Sequence, residues 1–283
     1  MPNTFFLPAH KIWYNHKEPL SMQPILSLRD ISFSYHNLKG ETPALSHIDL
    51  QISDGSFVAV VGPSGCGKST LLSIIAGLLA PESGEILYRG LSSKDYCADT
   101  ALKIGYMLQR DHLFEWRTVY QNIILGLELN HTLTKENTDY IEKLLRDYGL
   151  YAFRDKKPSE LSGGMRQRAA LIRTMAIHPD LLLLDEPFSA LDFQTRLAVS
   201  ADIASIIRKT EKTALLITHD LSEAVTLADR VVVLSGRPAC VRCEMPIHYD
   251  IPRNDPLKIR STAAYQDYFN ELWEVLNDGK TNP

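Results

Sequence analysis

Eight consecutive residues, Gly62-Pro63-Ser64-Gly65-Cys66-Gly67-Lys68-Ser69, combine three glycines with a lysine and a hydroxyl. Glycine at positions 62, 65 and 67 lets the backbone curl until successive N–H groups face one anion. Lys68 has the reach and charge to meet the β- and γ-phosphates of a nucleotide, and the Ser69 hydroxyl is a hard donor for Mg2+. Pro63, Ser64, Cys66 and the following Thr70 belong to the same expected nucleotide-binding stretch. Residues 57–61 read as a strand, Phe-Val-Ala-Val-Val, and residues 70–79 as a helix. Strand, glycine-rich turn and helix is the context in which such a loop binds phosphate, because the helix N-terminus adds its own partial positive charge. A chance match in a loose loop would lack both flanks.

Two further segments carry chemistry. Residues 181–184 are four leucines, followed by Asp185, Glu186 and Pro187. A continuous apolar run is the mark of a strand buried on both sheet faces. The carboxyl end of such a strand is where ligands bind in an α/β sheet. One carboxylate there can hold Mg2+ and its neighbour can act on an attacking water. An acidic pair after an apolar strand is more often just chain leaving the core; the phosphate loop upstream changes that balance. Residues 161–168, Leu-Ser-Gly-Gly-Met-Arg-Gln-Arg, place Ser162, Gly163 and Gly164 at the start of a helix, a second possible anion site or an ordinary helix cap.

The elements that must position these groups alternate. Period-two patterning over residues 26–35 and 48–52 predicts half-exposed strands. A turn at residues 81–84 leads into a strand at 85–88. Residues 119–153 change to helical spacing and read as a helical insertion. Helices are expected over 162–178, halted by Pro179, over 193–210 and over 222–228, with buried strands at 214–218 and 231–234. Strands alternating with helices imply a largely parallel sheet. Tyr265, Phe269, Leu272, Trp273 and Leu276 share one face of a last helix. Three divisions are expected: a tail over 1–23, a catalytic domain over 24–250 with its helical part at about 110–165, and a C-terminal helical extension over 251–283.

Composition narrows the class. The chain has 283 residues, 45% hydrophobic and 23% charged, with a net charge of −4, so nothing in its charge points to nucleic acid. No apolar run approaches the roughly 20 residues needed to span a bilayer, and the N-terminus lacks the features of a secretory signal. A cytosolic protein is expected, with membrane contact only through a partner chain. Cys240 and Cys243 have zinc-ligand spacing without a second pair nearby, and read as part of a hairpin. Cys66 is expected to be inert unless an oxidant enters the empty site.

Together these segments resemble the ATP-binding-cassette (ABC) ATPases, over about residues 25–240. The resemblance implies an α/β fold: a P-loop NTPase core with a mostly parallel sheet, an antiparallel β subdomain and an inserted α-helical subdomain. Residues 161–168 are similar to the family signature, which in the family closes over the γ-phosphate held by a second subunit. A head-to-tail homodimer sandwiching two ATP molecules follows. Tyr35 matches the aromatic that stacks on adenine, the alternative being a strand aromatic facing the core. Gln109 matches the glutamine that meets Mg2+ and the attacking water. Asp192, closing Ser-Ala-Leu-Asp at 189–192, matches the loop that crosses the dimer interface. His219 matches the switch histidine. The implied catalytic set is Glu186, His219, Gln109 and Lys68; the implied Mg2+ set is Ser69, Gln109 and Asp185.

Residues 111–119 are similar to importers of nitrate, aliphatic sulfonates and taurine, although Phe114-Glu115 stands where Leu-Pro is usual. A thiamine-precursor importer is equally compatible. The expected function is thus the ATPase of an importer, working at the cytoplasmic face of the plasma membrane with a separate permease and, indirectly, an extracytoplasmic solute-binding protein. An exporter or an envelope mechanical complex is the alternative. A non-transport ABC ATPase is a more distant one: no long coiled coil separates the phosphate loop from the signature, and there is a single set of motifs. Phe114 and Trp116 are either anchors for the permease or packed within the helical insertion.

Overall fold

The computed structural model describes residues 23–38, 40–93, 102–252 and 255–277. Residues 1–22 of the expected tail, with Phe5, Phe6, Trp13 and Tyr14, lie outside them. Ten strands are present among the described residues: β1 (Leu26–Asn37), β2 (Gly40–Ile52), β3 (Phe57–Val61), β4 (Ser83–Tyr88), β5 (Leu91–Ser92), β6 (Ile104–Met107), β7 (Leu181–Asp185), β8 (Thr213–Ile217), β9 (Arg230–Leu234) and β10 (Val241–Pro246). The helices are α1 (Lys68–Ile75), α2 (Val119–Ile123), α3 (Leu125–Leu129), α4 (Lys135–Asp147), α5 (Gly163–Met175), α6 (Phe193–Lys209), α7 (Leu221–Leu227), α8 (Pro256–Arg260) and α9 (Ala263–Asn277). None of them is long and apolar enough to cross a membrane.

The strands form two sheets. One is antiparallel in the order β2-β1-β4-β5; the other runs β10-β9-β3-β8-β7-β6. In the second, β9, β3, β8, β7 and β6 are mutually parallel and only β10 is antiparallel. The mostly parallel sheet, the antiparallel sheet and the inserted helices α2 to α4 are those expected from the sequence.

Each central strand serves two cores, which explains its unbroken apolar run. In β3, Phe57, Ala59 and Val61 join the core formed with α5, α6 and α7, while Val58 and Val60 join the core shared with α1 and the antiparallel sheet. In β7, Leu182 and Leu184 face the first and Leu181 and Leu183 the second. Side chains alternate across a strand, so a strand covered on both faces must be apolar throughout.

Two expectations change. The helix expected over 70–79 stops at Ile75: Gly77, at φ +72°, donates to the Ile74 carbonyl, and Leu78 N–H donates to that of Ser73. This left-handed glycine closure ends the helix and leaves Leu78 exposed. On α9, Tyr265 and Leu272 are buried against the domain, but Trp273 is exposed and stacks on Phe269. The apolar stripe is wider than the face the domain covers. Cys240 and Cys243 sit in the expected β9–β10 hairpin, both as free thiols, and no group of three or more metal-ligating side chains exists among the described residues.

Candidate functional site

The parallel strands bring four separate segments to one edge. Registers pair Val60 with Ile217, Ile217 with Asp185, and Leu184 with Met107, so the carboxyl ends of β3, β8, β7 and β6 lie side by side. The residues leaving those ends are the phosphate loop, His219, Asp185-Glu186 and Gln109. An open cleft of about 220 Å³ lies at this edge, lined by Tyr35, Ser64, Gly65, Gly67, Lys68, Ser69, Thr70 and Glu186, together with Ala44 and Arg237.

The loop is shaped by its own chemistry. Gly65 and Gly67 have φ of +72° and +124°, conformations L side chains rarely adopt. Gly62 does not; it is needed for close approach, because a Cβ there would lie 3.1 Å from the Cys66 sulfur and 3.2 Å from Leu234. Gly67 combines both constraints, since a Cβ would meet the Ala44 carbonyl oxygen at 2.8 Å. Gly67→Ala is therefore expected to cost about 2–4 kcal/mol. At roughly 2–4 °C per kcal/mol, the melting temperature should fall by about 4–16 °C, with weaker nucleotide binding. A variant that melts and binds as the native chain does would contradict this reading of the loop.

The Cys66 side chain is buried beneath the loop and burial pushes its thiol pKa up, so an oxidant has no direct access and only its backbone can face a ligand. Its N–H donates to the Pro63 carbonyl. Lys68 is buried, and its Nζ donates to the carbonyls of Gly62 and Pro63, each at 2.9 Å. An ammonium has three donors, so one remains for a ligand. α1 begins at Lys68 with no side-chain cap, leaving its first N–H groups for an anion.

The Ser69 hydroxyl donates to Asp185 Oδ1 at 3.2 Å. Burial pushes the Asp185 carboxyl above its usual range; the Ser69 hydrogen bond and the Lys68 charge oppose that, and Glu186 adds to it. Glu186 Oε2 accepts from Gln109 Nε2 at 3.2 Å and lies 3.1 Å from His219 Nδ1. One carboxylate oxygen thus gathers an amide and an imidazole from two other strand ends. Glu186 itself has φ +43°, held by its N–H donating to the Ile217 carbonyl. A non-glycine residue in that region costs about 1–3 kcal/mol. An ionised carboxylate so placed can accept a proton from, or polarise, a water held above the loop.

Tyr35 is 41% exposed, so it is not a core aromatic; its hydroxyl pairs with that of Thr70 at 2.9 Å and its ring packs edge-on to Phe33. Gln109, Asp185 and His219 do not line the cleft itself but bond to Glu186 or Ser69, which do; Ser162, Gly163, Gly164 and Asp192 are not among the lining residues. Ser162 caps α5 by accepting from Met165 N–H. Asp192 caps α6, and its hydrogen bonds from Thr195 hold its carboxyl below the usual range. Reasoning from sequence missed Ala44 and Arg237. Arg237 follows β9 and its Nε donates to the Pro43 carbonyl at 2.9 Å. No local pattern marks it; only the pairing of two distant segments brings it here.

A family profile described as ABC transporter matches residues 45–189. The uncharacterized ABC transporter ATP-binding protein YtlC of Bacillus subtilis (strain 168) is 41% identical over 254 residues, 89% of this chain and 95% of its own. The nitrate import ATP-binding protein NrtD of Synechocystis sp. (strain ATCC 27184 / PCC 6803 / Kazusa) is 40% identical over 260 residues, 90% and 96% of the two chains. The dimeric, post-hydrolysis structure of the ATP-binding cassette MJ0796 with ADP and Pi superposes with a TM-score of 0.68 at 29% identity, covering 79% of this chain and 99% of that one. The chain belongs to the ABC transporter family and is one of its ATPases.

Proposed function

We propose that this ATPase powers an importer, driving uptake of a small solute through a separate membrane permease at the cytoplasmic face of the membrane. The cargo class is nitrate-, sulfonate- or taurine-like, or a thiamine precursor. The observation that carries the transport half is an exposed aromatic pair. Trp116 is 73% exposed and Phe114 36%, and their rings pack on each other with centroids 4.7 Å apart. Exposed aromatics of this kind anchor partner proteins. The segment beneath them is braced: Arg166 donates to Asp111 and to Glu115, each at 2.9 Å. Burial works against the charge of Asp111, but hydrogen bonds from Arg166 and Leu113 N–H hold its carboxyl below the usual range. Glu115, where related importers usually have proline, is thus tied to the helix opening at Ser162-Gly163-Gly164. Similarity to NrtD over nearly both lengths supports import.

In this reading the loop amides and Lys68 bind the triphosphate, and Tyr35 receives the adenine. Glu186 takes a proton from the attacking water, which His219 and Gln109 orient in line with the γ-phosphorus. Ser69, Asp185 and Gln109 offer the hard oxygen donors that suit Mg2+, and the Ser69–Asp185 pairing sets two of them together. When bound, the ion neutralises charge on the β- and γ-phosphates. The likeness to a dimeric ATP-binding cassette supports a head-to-tail homodimer in which Ser162, Gly163, Gly164 and Asp192 of a second copy complete each site. A solute-binding protein would deliver cargo to the permease from outside.

Trp116→Ala tests the transport half. It is expected to weaken binding to the permease by about 2 kcal/mol, roughly thirtyfold, or to abolish permease-stimulated ATPase activity. Melting temperature and ATP affinity of the isolated subunit should stay unchanged, because so exposed a ring supports no core. Pull-down with the permease and a melting curve decide it. Undiminished coupling in a stable variant would remove Trp116 from the contact and weaken the importer reading.

A further inference from the structure

A second linkage joins the turns that carry Glu186 and His219. Arg196 stands in the first turn of α6, four residues after Asp192. Its Nη2 donates to the Leu191 carbonyl at 3.1 Å and its Nη1 to Asp220 Oδ2 at 3.4 Å. Its buried Nε has no hydrogen-bond partner among the described residues and lies 3.9 Å from Glu223 Oε1. Glu223 is 5% exposed and accepts the Thr218 hydroxyl at 2.6 Å; the same hydroxyl oxygen accepts from Asp220 N–H at 3.0 Å. The residue before His219 is thus tied to Glu223, and the residue after it to Arg196. On the other side, Leu191 N–H donates to the Phe188 carbonyl, and the Ser189 hydroxyl to that of Glu186. One guanidinium therefore holds the 186–192 turn and the 218–220 turn together.

Stability alone does not account for this cluster. Burial pushes the Glu223 carboxyl up to about 7, Asp220 adds to that, and Arg196 and His219 oppose it. Burying a carboxylate as Glu223 is buried costs several kcal/mol, so an ion pair there is weak support for the fold. What the cluster supplies is geometry. The two terminal nitrogens of a rigid, planar guanidinium fix the relation between two turns, whereas an ammonium gathers its rotatable donors on a single atom.

We propose that Arg196 is a positioning residue for ATP hydrolysis, locking the turn that runs from Glu186 to Asp192 against the turn that presents His219. The proposal rests on the roles given above to Glu186 and His219, and deepens them. If Arg196 is lost, the nucleotide still binds, because none of its contacts touches the phosphate loop. Glu186 and His219 no longer converge on one water, so only the rate suffers.

The test is steady-state and single-turnover phosphate release by the full chain, with a melting curve for every variant. Arg196→Ala is expected to lower kcat about tenfold or more while the KM for ATP changes less than about twofold. Arg196→Lys, which keeps the charge but not the fork, should fold normally and lose about threefold or more in kcat. The double variant Arg196→Ala/His219→Ala should be no slower than His219→Ala, because residues acting through one another are not additive. A native kcat in folded Arg196→Lys and Arg196→Ala would overturn the proposal. So would full additivity with His219→Ala. If Arg196→Ala fails to fold, Arg196→Lys decides alone. Near-native turnover in His219→Ala would instead overturn the reading of His219, so the two failures are distinct.

Discussion

Glu186→Gln is expected to slow ATP turnover by 10²-fold or more while leaving ATP affinity within about threefold, the scale of losing a general base. The substitution keeps the size and shape of the side chain. Its amide oxygen can still accept one of the two hydrogen bonds now converging on Oε2 from Gln109 and His219. What disappears is the negative charge and the capacity to take a proton. The backbone strain at φ +43° is unchanged, because glutamine has the same Cβ. Binding should survive because the phosphate loop, Lys68 and Ser69 are untouched. A chain that binds ATP without hydrolysing it should accumulate as an ATP-bound dimer, seen as a shift in size exclusion that requires ATP. A variant that releases phosphate at the native rate would refute the role given to Glu186.

Lys68→Ala should remove most ATP binding. The ammonium is buried and fixed by two loop carbonyls, so little ordering remains for it to do when a phosphate arrives. Truncating one partner of a buried, hydrogen-bonded charge pair typically costs about 2–5 kcal/mol. That corresponds to roughly thirtyfold or more in Kd. The Gly62 and Pro63 carbonyls also lose their donor, so part of the loss reflects a loosened loop rather than a lost contact. Calorimetric titration with ATP measures the sum, and a melting curve without nucleotide separates the two contributions. Unchanged ATP affinity would remove Lys68 and the loop from the nucleotide site.

The phosphate loop was legible because its chemistry is local. Glycines at φ +72° and +124° and a lysine and hydroxyl opening α1 all fall within eight residues. The central strands were legible for a related reason: burial on two faces leaves a continuous apolar run over residues 57–61, 181–184 and 214–217. Helix ends were less so, since the closure at Gly77 depends on a backbone conformation that apolar periodicity does not encode.

Gln109 and His219 stood out through family resemblance; spacing alone left them ordinary residues after strands. Their meeting at Glu186 spans 77 and 33 positions, and Ser69 meets Asp185 across 116. Periodicity says which face of a strand is apolar but not which strand lies beside it. Only the order β9-β3-β8-β7-β6 sets those four ends side by side. Tertiary packing also decided what composition left open: Trp116 and Trp273 lie exposed, Cys66 lies buried, and Arg237 reaches the cleft. The bridge from Arg196 to the turns that follow β7 and β8 belongs to the same class. Short-range chemistry is written in consecutive residues; convergence depends on strand order, which is set by the packing of the whole chain.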